Sequence, residues 1–151
     1  MAEYNATDSA LVTPWGTIAF NDGTVPGYLH DPSVCAGLDG APARATVEDA
    51  PVTDGGIWHR NFKGAREVTL GGQLLIDIPD AAVTLEANLL AACDSIFGDP
   101  TVTGTYEWTP SGSSLHSITV RCDILPTFSG AAYAKKYMLG LVAIDPTITV
   151  A

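Results

Sequence analysis

The sequence predicts a mainly β fold of the α+β kind, a sandwich or barrel of strands with one packed α-helix. Three observations carry this. From Val68 the even positions are Val68, Leu70, Gly72, Leu74, Ile76 and Ile78, while the odd ones are Glu67, Thr69, Gly71, Gln73, Leu75 and Asp77. With Leu75 the one exception, this is the period-two alternation of a strand with one dry and one wet face. Between Pro79 and Pro100, Leu85, Leu89, Ala92, Cys93 and Ile96 recur at helical spacing and form one apolar stripe. Two later stretches, His116–Leu125 and Lys135–Pro146, return to strand-like sequence rich in Val, Ile, Leu and Tyr.

The chain of 151 residues is read as a single domain, long enough to bury about two thirds of its unfolded surface. Residues 1–43 form an N-terminal strand and loops and contain no Lys or Arg. Leu11–Phe20 supplies a short strand, and Asn21-Asp22-Gly23 is a tight-turn sequence. A Pro- and Gly-rich run follows, with a strand candidate at Ala43–Glu48. Residues 44–66 form an extended loop holding Arg44, Arg60, Lys63 and Arg66, four of the seven basic residues. Its Gly, Pro and Asp content predicts a segment mobile in a free subunit and ordered in an assembly, with Trp58 and Phe62 as its large apolar groups.

Residues 67–146 carry a strand, a helix, a hairpin and a final strand. The first strand holds adjacent glycines, Gly71 and Gly72, where each costs about 0.5–1 kcal/mol relative to alanine. They point either to a bulge or to the close approach of another backbone. The helix starts with Asp80 or Thr84 as cap, has Glu86 near its positive end, and stops at Gly98 and Pro100. Thr103–Pro110 leads through Ser111–Ser114 into His116–Leu125. There Ile118, Val120, Cys122 and Ile124 share one face, and Thr119, Arg121 and Asp123 the other. The last strand is apolar on both faces, Tyr137, Leu139, Leu141 and Ala143 against Met138, Val142 and Ile144. Such a strand is expected to be buried by its own core and by a second cover, of which a neighbouring subunit is one candidate.

The formal charge of −10 excludes a protein that wraps nucleic acid, which needs clustered Lys and Arg. It allows a soluble acidic surface, or one past which nucleic acid slides without sticking. Charged residues make up 16% of the chain, low against about 25% in typical domains, consistent with surface hidden in an assembly. Cys35, Cys93 and Cys122 are odd in number and far apart, as expected of reduced thiols rather than a zinc site. No secretory leader and no membrane-spanning run is evident in the sequence.

His30, His59 and His116 are isolated and read as solvated loop residues without chemistry. No nucleophile elbow, zinc-protease, P-loop or dinucleotide motif is present, so no catalytic residue, metal ligand or cofactor is assigned. Trp15, Trp58 and Trp108 suit core or interface packing, or else a sugar-binding platform. The basic residues Arg60–Arg66 suit pairing with carboxylates on a neighbour.

The run from Gly37 to Pro146 resembles the N-terminal, ring-forming domain of siphophage distal tail proteins, including minor tail proteins of actinobacterial phages. The residues carrying the likeness are Gly37-Leu38-Asp39, Arg44, Asp54-Gly55, Gly64-Ala65-Arg66, Val68-Thr69-Leu70-Gly71-Gly72 and Ala143-Ile144-Asp145-Pro146. The resemblance implies a tail-tube-like β-sandwich or barrel without enzymatic activity. It implies a hexameric ring in the virion, assembled in the host cytoplasm and joining tail tube to tail tip. The implied partners are further copies of the chain, the tail tube protein, hub or tip proteins and the tape measure protein. DNA passes through the lumen without specific binding, and no membrane is involved. Carried over, Arg44, Trp58, Arg60, Phe62, Lys63 and Arg66, with Tyr137, Leu139 and Leu141, would form the inter-subunit interface. Gly71, Gly72, Leu85, Leu89 and Ile96 would be structural. Many relatives continue into a second, galectin-like domain, which is not expected here. A tail tube subunit is the nearest alternative, and a small β-sandwich carbohydrate-binding module is the alternative from another class.

Overall fold

The computed structural model describes residues 9–38, 43–44, 47–49, 56–58, 62–63, 65–109, 114–145 and 147–151. The strands are β1 (Ser9–Val12), β2 (Thr17–Phe20), β3 (Gly27–His30), β4 (Ala43–Arg44), β5 (Val47–Asp49), β6 (Gly56–Trp58), β7 (Phe62–Lys63), β8 (Arg66–Leu75), β9 (Gly104–Trp108), β10 (His116–Ser129), β11 (Lys136–Ala143) and β12 (Thr149–Val150). The helix runs Pro79–Asp94 and a 3-10 turn occupies Ala132–Ala134.

The main sheet runs β11-β8-β3-β2-β1-β9-β10-β12, and β10 also pairs with β11. That second pairing closes seven strands into a barrel, with β12 an appendage on β10. A closed ring of an odd number of strands cannot be antiparallel throughout. The parallel pair is β2 with β3, joined at Phe20 and Tyr28. Asn21-Asp22-Gly23, the tight-turn sequence, therefore joins two parallel strands, with Asn21 (φ 58°) and Gly23 (φ 79°) in left-handed conformations. The hairpin lies earlier. The predicted single strand Leu11–Phe20 is two strands, folded at Thr13-Pro14-Trp15-Gly16 by reciprocal bonds between Thr13 and Gly16. Proline lacks the donor a continuous strand would use, so Pro14 belongs in the turn.

β8 follows its predicted alternation, with Val68, Leu70 and Leu74 inside and Glu67 and Gln73 outside. β10 keeps phase through Ile118, Val120 and Cys122 and then loses it. Against β11 the register steps from Cys122↔Leu141 to Ile124↔Gly140 and then to Thr127↔Met138, so β10 gains a residue at each of two bulges. The first turns Ile124 outward, 60% exposed, where simple alternation placed it with Cys122. Pro126 lies within the second, where no ladder donor is needed.

The helix buries Ala82, Leu85, Leu89, Ala92 and Cys93, and Ile96 follows them into the core. It packs against β10 and β2, under the inward face of the sheet. Its N-cap is Ile78, without a side-chain cap. Neither Asp80 nor Thr84 serves, because Pro79 opens the helix and places both residues inside it. Asp80 instead contributes a negative charge to the first turn. At the other end Ser95 Oγ donates to the Ala92 carbonyl at 2.6 Å. Lys135 Nζ reaches Glu86 Oε1 at 3.0 Å and links the 3-10 turn to the helix.

Residues 44–66, expected as an extended loop, form paired backbone where they are described. Ala43 and Arg44 pair with Lys63 and Phe62, and Val47, Glu48 and Asp49 with Trp58, Ile57 and Gly56. The two pairings are separate two-stranded antiparallel ribbons whose registers differ by one residue.

Candidate assembly surfaces

The glycine pair in β8 is the geometric key to the barrel wall. A Cβ on Gly72 would coincide with the Leu29 carbonyl group, and one on Gly71 would meet Val34 Cγ1 at 2.6 Å. The register of β8 with β11 is unbroken from Arg66 to Gln73. Of the two readings of these glycines, close approach of another backbone is the one found at Gly72, with a side chain against Gly71 and no bulge. The chain leaves β3 at His30, opposite Gly72, and returns beside β8 at Ala36, bridged to Thr69. Residues 31–34 between these points arch outward, held by Asp31 N–H to the Gly71 carbonyl at 2.8 Å, and Cys35 turns back into the core. Asp31 fixes the arch by accepting from Ser33 N–H and Oγ at 3.0 and 2.7 Å. Those two bonds hold its carboxyl below the usual carboxylate range.

This arch walls a groove of about 470 Å³ on the outer barrel surface. Leu29, Pro32 and Val34 line one side, and Thr127, Lys136 and Met138 the other. His30 and Tyr137, which also line the groove, belong to a buried aromatic cluster. His30 stacks on Phe20 at 4.3 Å between centroids. Its Nδ1 lies 2.8 Å from the Tyr137 hydroxyl and its Nε2 3.2 Å from the Tyr106 hydroxyl. A neutral imidazole offers one donor and one acceptor, so each ring nitrogen is matched by one hydroxyl. Burial lowers the His30 pKa to about 4 and keeps the ring neutral. The expectation of a solvated loop histidine fails here, because the short β3 turns His30 inward. His116 is half-buried and tilts against Trp108 at 5.5 Å. His59 lies outside the described residues.

The predicted interface residues separate into three groups. Tyr137, Leu139 and Leu141 are buried in the core of their own chain, so they are not surface for a neighbour. The opposite face of β11 is the accessible one. Met138 is 47% exposed there, and the side chain of Ile124 lies against Gly140. Arg66 is 6% exposed and donates from a terminal guanidinium nitrogen to the Gly37 carbonyl at 3.1 Å. It braces its own subunit. Arg44, Trp58, Phe62 and Lys63 sit on the ribbon strands, and Arg60 lies outside the described residues.

Sequence reasoning missed that Leu29 and Met138 share a groove and that Ile124 is exposed. Met138 was legible in the alternation of β11, Ile124 was hidden by the bulge, and Leu29 lies on an unrecognised strand. Trp108 is in the core while Trp15 is half-exposed on the β1–β2 turn, so these two share no sugar-binding platform. Among the described residues no cluster of His, Cys, Asp and Glu fits a metal ion. Among them, too, no helix is long and apolar enough to cross a membrane.

No family model matches the chain, and no curated protein matches it in sequence. Its structure is similar to the crystal structure of the Dit protein of phage SPP1, described as a paradigm of the hub adsorption apparatus in phages infecting Gram-positive bacteria. The TM-score is 0.60 at 12% identity, over 95% of this chain and 52% of that one. The chain thus spans about half the length of that protein. At this identity the likeness is one of fold: a Dit-like, mainly β architecture with one helix.

Proposed function

We propose that this chain is a structural component of a phage tail, a distal ring subunit that joins the tail tube to the tail tip. The observation that carries this reading is the likeness to SPP1 Dit over 95% of the chain. Three features support it. The closed barrel leaves little free strand edge for uncontrolled pairing. Strands β4 to β7 pair only with one another among the described pairings and are available to reach a neighbour. The charge of −10 suits a lumen that DNA crosses without adhering. In this reading Arg44, Trp58, Arg60, Phe62 and Lys63 meet an adjacent copy, and the tube and tip proteins stack on the two faces of the ring. The protein has no enzymatic role in this assembly.

Copy number in purified tail particles tests the reading. Quantitative mass spectrometry against a labelled standard is expected to give six copies per tail. Tens of copies would make the chain a tube subunit, and its absence from tails would end the proposal.

A further inference from the structure

The groove beside the 31–34 arch is lined by outward-facing residues in two lateral rows. Leu29, Gln73, Lys136 and Ser129 pair across β3, β8, β11 and β10, and Gly71, Met138 and Thr127 form the next row. Val34 of the arch lies over Gly71, which has no side chain of its own. With Leu29, Pro32 and Met138 it makes an accessible apolar seat. The polar part of the lining centres on one charge. Between residues 67 and 151 the basic side chains are Arg121, Lys135 and Lys136. Arg121 donates to the Phe97 carbonyl at 3.1 Å, and Lys135 pairs with Glu86 at 3.0 Å. Lys136 is exposed and forms no ion pair among the described residues. The side chains of Gln73, Thr127 and Ser129 make no hydrogen bond among them either. Asp31, on the opposite wall, turns its carboxylate to Ser33.

We propose that this groove is a docking site for an extended segment of a partner protein that carries a bulky apolar side chain and, two residues away, a carboxylate. Its volume of about 470 Å³ admits a short segment rather than a lone ion. The charge of the occupant follows from complementarity. On a chain of net charge −10, the one unpaired ammonium between residues 67 and 151 stands in this groove. The spacing follows from β11. Met138 and Lys136 leave the same face of that strand two residues apart, about 7 Å, which is also the separation of side chains i and i+2 in an extended segment. The apolar side chain sits between Leu29, Val34 and Met138. The carboxylate accepts from Lys136 Nζ, with the Thr127 and Ser129 hydroxyls and the Gln73 amide as further donors. Repulsion from Asp31 keeps it on the β10 side of the groove. This inference holds whichever assembly the chain enters.

The test follows the fluorescence anisotropy of a labelled heptapeptide, Gly-Ser-Leu-Gly-Glu-Ser-Gly, as the full chain is added. Saturable binding is expected, weakened at least about tenfold when the peptide's Leu becomes Ala or its Glu becomes Lys. Lys136→Glu is expected to invert the preference in favour of the Lys peptide. Met138→Asp is expected to weaken the Leu–Glu peptide without changing the melting temperature. In the wild-type chain that peptide is expected to slow acetylation of Lys136 by acetic anhydride and leave Lys135 unaffected, as read by peptide mapping. Absence of saturable binding, equal affinity for the Glu and Lys peptides, or an unprotected Lys136 would overturn the proposal. Protection of Lys136 in the peptide-free chain that grows with chain concentration would assign the groove to a second copy and overturn it too. The wild-type protection alone decides this if a variant fails to fold.

Discussion

Nδ1 of His30 lies 2.8 Å from the hydroxyl of Tyr137, joining β3 to β11 beneath β8. The two residues are far apart in sequence, on strands that do not pair with each other. A polar bond inside an aromatic cluster thus fixes the short β3, whose only parallel contact is the single Phe20–Tyr28 bridge. Because burial penalises the charged form of the ring, the fold is sensitive to acid.

The sign of that sensitivity follows from the lowered pKa. His30 titrates at about 4 in the fold, against about 6.5 in the unfolded chain. Above pH 6.5 both states leave it neutral and it adds no pH dependence. As pH falls from 6.5 towards 4 the unfolded chain binds the proton first, and stability falls by on the order of 3 kcal/mol. Urea midpoints measured across this range are expected to drop for the wild type. The drop should be clearly smaller for His30→Gln, and equal slopes would show that His30 is not the group responsible.

Gly72→Ala is expected to destabilise the fold by at least about 1–3 kcal/mol, because its Cβ would displace the Leu29 carbonyl and part β3 from β8. Gly98→Ala is the control. A Cβ there meets nothing within 4 Å, so the change is expected to be neutral or slightly stabilising. Thermal melts of the two variants check this, and equal melting temperatures would refute the close approach at Gly72.

Leu89 is fully buried on the helix, while its neighbour Leu90 is 43% exposed. Leu89→Ala is expected to cost about 2–5 kcal/mol, and Leu90→Ala within about 0.5 kcal/mol of nothing. Denaturant unfolding of both variants separates the buried face from the outer one. A reversed order would mean that the helix is rotated on its axis.

Arg66→Glu is expected to damage the fold itself. It removes the donor to the Gly37 carbonyl and puts a carboxylate in a largely buried site. A monomer that melts unchanged while failing to assemble would return Arg66 to the subunit interface.

Much of the framework was legible because period two and period 3.6 survive wherever an element has one dry face. β8, the helix stripe and the first half of β10 are such places. The rest was set by features that leave no period. The β10 bulges cost no unusual residue except Pro126, so Ile124 read as core. β3 is four residues long inside a Pro- and Gly-rich run, and His30 there looked like a loop residue. The parallel β2–β3 pair follows from closing an odd-stranded barrel, which no local pattern reveals. For the candidate surfaces, the double apolarity of β11 was plain. Which of its faces turns inward depended on its register with β8, and that placed Tyr137, Leu139 and Leu141 in the core.

The proposed role requires this chain to close into a ring of six. Native mass spectrometry of the purified full chain near neutral pH and at low ionic strength tests it most directly. The account predicts a discrete species at six times the 15.7 kDa chain mass, dissociating as salt is raised. A monodisperse monomer or a closed dimer over the whole accessible concentration range would contradict it.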